Sequence, residues 1–382
     1  MSQPMADNRI DRKFFVFLGL LLLLGMVMLI SASGPIAYQK FGDPYWYVRH
    51  QLFYGLLPGV VLFFLMSHVD YRALRRLARP FFYFSVLLLL LVFVPGIGAD
   101  WGTSHSWINL AGFSFQPAEL VKLSLLLFLA DRFGDLDPDD LRDPHLGLMP
   151  FMLSLGLVSV LIVLQPDLGS LIAIASLAGL TFMLAGAPWS HLAGLASSGV
   201  LALWILIKIK PYRANRLMSF LHPELDPQGI GYHINQAYLA IGSGGLLGLG
   251  LGHSRQKYMY LPEVIGDSIF AVMAEELGFV VMTAVIILLV LFLLRLIVLA
   301  RRAPDRFGRL LVGGISCWVF AQVMLNVGSM IGLFPMTGLP LPFMSYGGTA
   351  LIVMLASMGI VANVSRQVED RPRRGTKSQL RT

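Results

Sequence analysis

Charge is scarce in this chain. Only 13% of its 382 residues are Asp, Glu, Lys or Arg, against about 25% in a soluble domain, while 56% are hydrophobic. That supply cannot coat a water-facing surface, so an integral membrane protein is expected rather than a soluble one. Cysteine is nearly absent as well. Cys317 stands alone in an apolar stretch, which excludes a disulfide framework and any multi-cysteine metal or iron–sulfur site. Long polar stretches are also missing: the longest segment without a membrane-length apolar run is about 210–267, rich in Gly, Pro, Tyr and His, so no soluble domain is appended. Internal repeats of 20 to 50 residues are not visible either, and a transporter built from repeats gains no support. The net charge of +7 would suggest nucleic acid in a soluble chain. Here the basic residues sit in short loops between apolar runs, where they orient the chain in a bilayer, and no nucleic-acid partner is expected.

What the chain does have is a succession of apolar runs. A helix needs roughly 20 apolar residues to cross a bilayer core of about 30 Å, and ten runs meet that need: 14–33, 49–67, 80–98, 117–133, 148–165, 168–186, 189–209, 268–299, 309–333 and 343–365. The fold class expected is all-α and polytopic, with about ten transmembrane helices. The first run follows Arg9, Arg12 and Lys13 but is too long for a signal peptide, so it is read as a retained helix. Alternate placement puts Arg72, Arg75, Arg76, Arg79, the cations from Arg295 to Arg309 and the C-terminal tail on the side of the N-terminus. Both termini are therefore expected to be cytoplasmic. The domain layout is a cytoplasmic segment 1–13, one transmembrane domain 14–365 with a large outer loop at about 210–267, and a basic cytoplasmic tail 366–382. The Asp-rich loop 131–143 reads as a solvated connector. The run 268–299, at ~1.5 Å per residue, exceeds a bilayer core, so its helix is expected to tilt or protrude.

Polar groups at membrane depth are costly and point to function. Four clusters project toward the outer side. In WGTSHSWINLAGFSFQPAELVK (101–122), Pro117 suits a first helical turn, Glu119 favours the helix dipole, and Lys122 follows one turn on. That is either a self-neutralising pair at a capped helix start or a pair of cavity residues, and Trp101 and Trp107 would in the first case be interfacial belt residues. In Gln165-Pro166-Asp167, a tight turn with Asp167 capping the next helix is expected. In IGSGGLLGLGLGHSRQK (241–257), Gly244, Gly248 and Gly252 at spacing four favour close packing, and neither a dinucleotide nor a Walker pattern fits. Lys208, Lys210, Arg213, Arg216, Arg255 and Lys257 stand ready for a phosphorylated ligand or for lipid headgroups. In YLPEVIGDSIFAVMAEELGF (260–279), Asp267 is an N-cap or a functional carboxylate, and of Glu275 and Glu276 at least one must face a polar interior. A Pro/Gly-interrupted stretch, PMTGLPLPFMSYGGTALI (335–352), is expected to be re-entrant or kinked and to line a cavity.

In their order and spacing, the motifs FQPAELVK, QPDLG, AIGSGGLLGxGLG, YLPExxGDSIFAxxAEELG and PLPFMSYGG resemble the SEDS family of bacterial cell-wall polymerases, the group containing FtsW and RodA. GLGHSRQKYMYLPE and PLPFMSYGGTALI are closer to the FtsW side. The resemblance implies a peptidoglycan glycosyltransferase. It would polymerise lipid II, the undecaprenyl-pyrophosphate-linked disaccharide pentapeptide, on the outer face of the cytoplasmic membrane, in cell division or cell-shape maintenance. The implied partners are a class B penicillin-binding protein and other division or elongation proteins. The family's essential acid falls on Asp267, its cavity pair on Glu119 and Lys122, and its important tryptophan on Trp107. Ser106 stands where many members have arginine, and Gly266-Asp267-Ser268 where many have Thr-Asp-Phe.

Transfer from a pyrophosphate donor needs a base for the acceptor hydroxyl and positive groups for the leaving pyrophosphate. Asp267 is the expected base, with displacement inverting the donor carbon because no second nucleophile is apparent. Lys122, and more weakly Lys210, Arg213, Arg255 and Lys257, are the expected contacts to sugar or pyrophosphate. No cofactor is evident and no complete protein metal site is present; Mg or Mn bridging Asp267 and pyrophosphate stays open. A lipid-linked oligosaccharide flippase and a non-catalytic scaffold for a penicillin-binding protein are the competing functions.

Overall fold

The computed structural model describes residues 11–101, 104–110, 113–137, 139–209, 211–225, 228–229 and 231–367. Helix α1 (Arg12–Phe41) starts on Asp11, whose carboxylate accepts from the Phe14 amide, and stops at Gly42 in the left-handed region. After it come α2 (Trp46–Gln51), joined by a π-helical turn to α3 (Leu57–His68), and α4 (Tyr71–Leu91). Next come α5 (Pro117–Gly134), α6 (Met149–Leu164) and α7 (Leu168–Ala185). Two helices, α8 (Trp189–Ile209) and α9 (Pro211–Leu221), lead to α10 (Tyr232–Ser243). The chain closes with α11 (Ile269–Arg302), α12 (Arg306–Met330) and α13 (Gly348–Arg366).

A helix stands at each of the ten apolar runs, and eight spans among the described residues are long and apolar enough to cross a membrane. The two that fall short do so through charge. α4 carries Arg72, Arg75, Arg76 and Arg79, and α5 carries Glu119, Lys122, Asp131 and Arg132. α5, α12 and α13 are the most enclosed of the long helices, and α5 packs between the other two and α4 and α7. α8 lies at the other extreme, with no buried residue, and turns its Leu201, Trp204 and Ile205 outward.

The expected helical, polytopic class holds, with one small element added: β1 (Gly98–Trp101), β2 (Ser104–Leu110) and β3 (Phe113–Phe115) form an antiparallel sheet just before α5. Its strands are too short to show an alternation, and they exist by pairing with one another: Ile108 lies opposite both Gly98 and Phe115. The Asp-rich loop is not wholly solvated. Asp131 is mostly buried and accepts from Arg75 at 2.9 Å, with Arg79 on its other oxygen, fixing α4 to α5. Lastly, α11 is not one over-long rod, since Gly278 breaks it at φ 72°, ψ 175°.

The break exposes backbone groups that a bilayer cannot solvate. The glycine-rich loop after α10 supplies them: Leu249 and Gly250 amides donate to the carbonyls of Glu275 and Glu276, and the Phe279 and Val280 amides donate to those of Gly245 and Leu246. A Cβ on Gly278 would sit 2.1 Å from the Gly248 nitrogen, so the close approach needs glycine on both sides. Of the spacing-four glycines, Gly244 and Gly248 show the expected close packing, against a broken helix, whereas Gly252 borders open space.

Candidate active site

The first half of the site hangs on the start of α5. Pro117 occupies the first turn and Glu119 follows in it, as the sequence suggests. Lys122, fully enclosed, donates to Glu119 Oε1 at 2.6 Å and to Gln322 Oε1 at 3.3 Å, and its ammonium lies 5.3 Å from the Trp318 ring centroid. Glu119 Oε2 is buried with no hydrogen-bond partner among the described residues. The pair is thus more than a helix cap, because its lysine reaches across to α12 and one carboxylate oxygen is left over. Just upstream, Trp107 is half-buried on β2 opposite Ala99, on a sheet that packs against α5. Gln165 ties that sheet down by accepting from the His105 amide at 3.2 Å, and Asp167 caps α7 through the Ser170 amide at 3.0 Å, as expected.

Asp267 forms the second half, directly ahead of α11. The N-cap residue of α11 is Ser268, with no side-chain cap, so the Asp267 carboxylate does not serve that helix. It is buried; Ser268 Oγ donates to Oδ1 at 3.3 Å, and the Asp267 and Ser268 amides also act on the carboxylate. Burial pushes its pKa up from 3.8 to about 6, against the pull of the Ser268 hydroxyl and the Arg216 charge. Glu263 is raised too, by burial first and by the Asp267 charge next. His233 Nε2 lies 2.6 Å from Ser268 Oγ, and burial drives its pKa down to about 4.

α12 joins the halves. Asn326 donates to the Asp267 and Leu339 carbonyls, both at 2.8 Å, and Gln322, one turn earlier, donates to the Pro340 carbonyl at 2.9 Å while accepting from Lys122. The stretch 335–347 is non-helical, as expected, and closes the circuit: Ser345 Oγ donates to the Gly266 carbonyl at 2.6 Å and the Tyr346 amide to Ile265. Gln322 and Asn326 were not singled out in the sequence, although two amides four residues apart in an apolar run carry a readable signal. His233 and Ser268 carry no such signal, since their contact spans 35 residues.

The family model for the FtsW, RodA and SpoVE cell cycle proteins matches residues 11–370. The chain belongs to that family. It is 39% identical over 350 residues to stage V sporulation protein E of Bacillus subtilis, covering 91% of this chain and 94% of that protein. It is 37% identical over 349 residues to a probable peptidoglycan glycosyltransferase FtsW of Geobacter sp. strain M18, covering 91% and 95%. Among solved structures it is similar to a chain of a peptidoglycan synthase complex that coordinates polymerization and crosslinking (TM-score 0.77, 31% identity, 94% of this chain and 99% of that one). It is also similar to the rod shape determining protein RodA of Thermus thermophilus (TM-score 0.69, 30% identity, 94% and 97%).

In this FtsW/RodA/SpoVE chain the four outlying cations fare differently. Lys257 is enclosed and donates to Glu276 Oε1 and the Gly252 carbonyl, both at 2.8 Å, and to Ser31 Oγ at 3.1 Å. Its charge is spent on a carboxylate, so the structure makes it a strut and not a free cation for phosphate. Arg255 is exposed, and its amide donates to Glu275 at 2.9 Å. Arg213 lies on α9 in a stretch where only the backbone is described, and Lys210 lies outside the described residues. Both Glu275 and Glu276 face inward. The first accepts from Ser254 Oγ and the Arg255 and Gln256 amides, the second from Ser31, Lys257 and the Gly252 and Ser254 amides.

Proposed function

We propose that this chain polymerises lipid II into glycan strands on the outer face of the bacterial cytoplasmic membrane, with Asp267 as the base. The observation that carries the reading is a buried carboxylate with no capping duty and no ion-pair partner among the described residues, linked through Asn326, residues 339–340 and Gln322 to Lys122. A carboxylate with a pKa near 6 is ionised at neutral pH yet takes up a proton far more readily than an exposed one. The acceptor sugar hydroxyl gives its proton to Asp267, its oxygen bonds to the donor anomeric carbon with inversion, and the bond to pyrophosphate breaks with the electron pair leaving on phosphate. Arg216, whose charge acts on Asp267, is a described cation available to the departing charge, and Lys122 awaits the part of the substrate that reaches the cavity.

A divalent cation would find two carboxylates here, Asp267 and Glu263, and no third His, Cys, Asp or Glu ligand among the described residues. It would therefore arrive with the pyrophosphate and water as its remaining ligands, and no step above is routed through it. The partner in this reading is a class B penicillin-binding protein, supported by the likeness to a synthase complex.

The test is glycan chain growth from lipid II by purified protein with its partner, resolved on gels. Asp267→Asn should lose roughly 100-fold or more of the rate while inserting and binding the partner normally, and Asp167→Asn, a cap variant, should keep far more. Growth within a few-fold of wild type for Asp267→Asn returns that residue to a structural role.

A further inference from the structure

The base has a neighbour whose purpose the reaction has not yet used. Ser268, the residue that departs from the Thr-Asp-Phe pattern, has a single hydroxyl proton and two polar neighbours, Asp267 Oδ1 at 3.3 Å and His233 Nε2 at 2.6 Å. An ionised carboxylate only accepts. The Ser268 proton must then point to Oδ1, its oxygen lone pair must face His233, and His233 must carry its hydrogen on Nε2. One assignment satisfies all three groups. The reverse one, with Ser268 donating to the histidine, takes the hydroxyl from the buried carboxylate and leaves it to the Asp267 and Ser268 amides alone, which is the costlier arrangement.

We infer that His233, acting through the Ser268 hydroxyl, is a positioning residue for Asp267: the pair holds Oδ1 in place and leaves Oδ2 to take the acceptor proton. The inference rests on the reading of Asp267 as base. Three further observations support it. Oδ2 faces Gly338, where even a Cβ would stop 4.0 Å away and where φ is +72°, so the free oxygen looks onto a side kept bare. His233 sits in the first turn of α10, which Asn235 anchors by donating to the Pro223 carbonyl at 3.1 Å, so the imidazole is delivered by a fixed helix. Burial keeps the imidazole neutral throughout the working range, although Glu263 pulls toward protonation; Arg216 opposes it, and Lys40 acts on Glu263. His233 is therefore a neutral donor that does not itself need to titrate.

The experiment is the pH profile, from about 5 to 8.5, of lipid II polymerisation by the full-length protein with its penicillin-binding partner. Four proteins are compared: wild type, Ser268→Ala, His233→Leu and His233→Gln, with folding checked by thermal melting. In wild type the acid limb should follow Asp267. Ser268→Ala and His233→Leu should move that limb up by about half to one pH unit, because an ionised carboxylate without its donor binds protons more tightly. At neutral pH they should also lower kcat several-fold with KM changed little. His233→Gln, which keeps a neutral N–H at a similar reach, should restore the limb toward wild type.

A limb unmoved by Ser268→Ala, with the wild-type limb intact, overturns the inference and leaves the base standing. The same holds for a His233→Gln profile that tracks the leucine variant, since a titrating imidazole would then be at work. Should His233→Leu fail to fold, Ser268→Ala decides alone. A wild-type profile with no acid limb takes down the assignment of Asp267 itself and this inference with it.

Discussion

Asp267 carries a penalty that activity assays do not see. Its pKa is raised to about 6 from 3.8, so the folded protein binds its proton more tightly than the unfolded chain does. The stabilisation is fully present below about pH 4 and is lost as pH rises through 6. At pH 8 the ionised residue therefore costs the fold something on the order of 3 kcal/mol. Asp267→Asn should melt higher than wild type at pH 8 and alike at pH 4, while polymerising poorly. Equal melting at both values would mean that the carboxylate is solvated. Lys122 behaves in the opposite sense. Lys122→Met leaves Glu119 as a lone buried charge and should cost about 3–5 kcal/mol, whereas Lys122→Met with Glu119→Gln should recover most of that loss. If the double variant also polymerises at a near-normal rate, both residues are structural. Asp267, Glu119 and Lys122 stand out in the sequence as charge in an apolar chain, but their site roles, and that of Trp107, come from the family resemblance and not from composition. The duty of Lys257 was not legible there, since its carboxylate partner lies 19 residues away and only the fold brings them together. Lys257→Met should accordingly lower the melting temperature and leave KM for lipid II nearly unchanged, which a substrate cation would not.

The elements divide by how far their cause extends along the chain. Helices were readable because a run of about 20 apolar residues is a local property, and the Asp167 cap because it acts three residues ahead. The sheet before α5 was not, since four-, seven- and three-residue strands have no stability apart from one another. Nor was the break in α11, where a glycine inside an apolar run looks merely tolerated. Its partner is the loop 245–250, and the two interlock through four backbone hydrogen bonds. Gly278→Ala or Gly248→Ala sets a Cβ against backbone at a positive φ and should cost at least ~2 kcal/mol. Hydrogen exchange should show the loss first at residues 245–250 and 279–280, and an unchanged pattern there would mean that the loop and the break do not support each other.

On the scale of the whole molecule, the enclosed helices α5 and α12 carry Glu119, Lys122, Gln322 and Asn326 while α8 stands at the periphery with no buried residue. Arg216 lies on α9, which follows directly on that peripheral helix, whereas α10 with His233 packs against α11. We expect the isolated protein to polymerise slowly and a class B penicillin-binding protein to raise its rate by favouring one arrangement of those elements. Equal turnover with and without every candidate partner would count against this. The broken α11 also bears on biogenesis. Ahead of Gly278 stand only the residues from Ile269 to Leu277, too few to cross a bilayer and burdened with two carboxylates, whereas the segment beyond it, from Phe279 to Arg302, is about 36 Å long and apolar. The insertion machinery can therefore recognise the second segment only. The first is expected to pack only once α10 and its glycine loop are in place to receive it, so Glu275 and Glu276 find their partners in that loop after the membrane spans have been laid down.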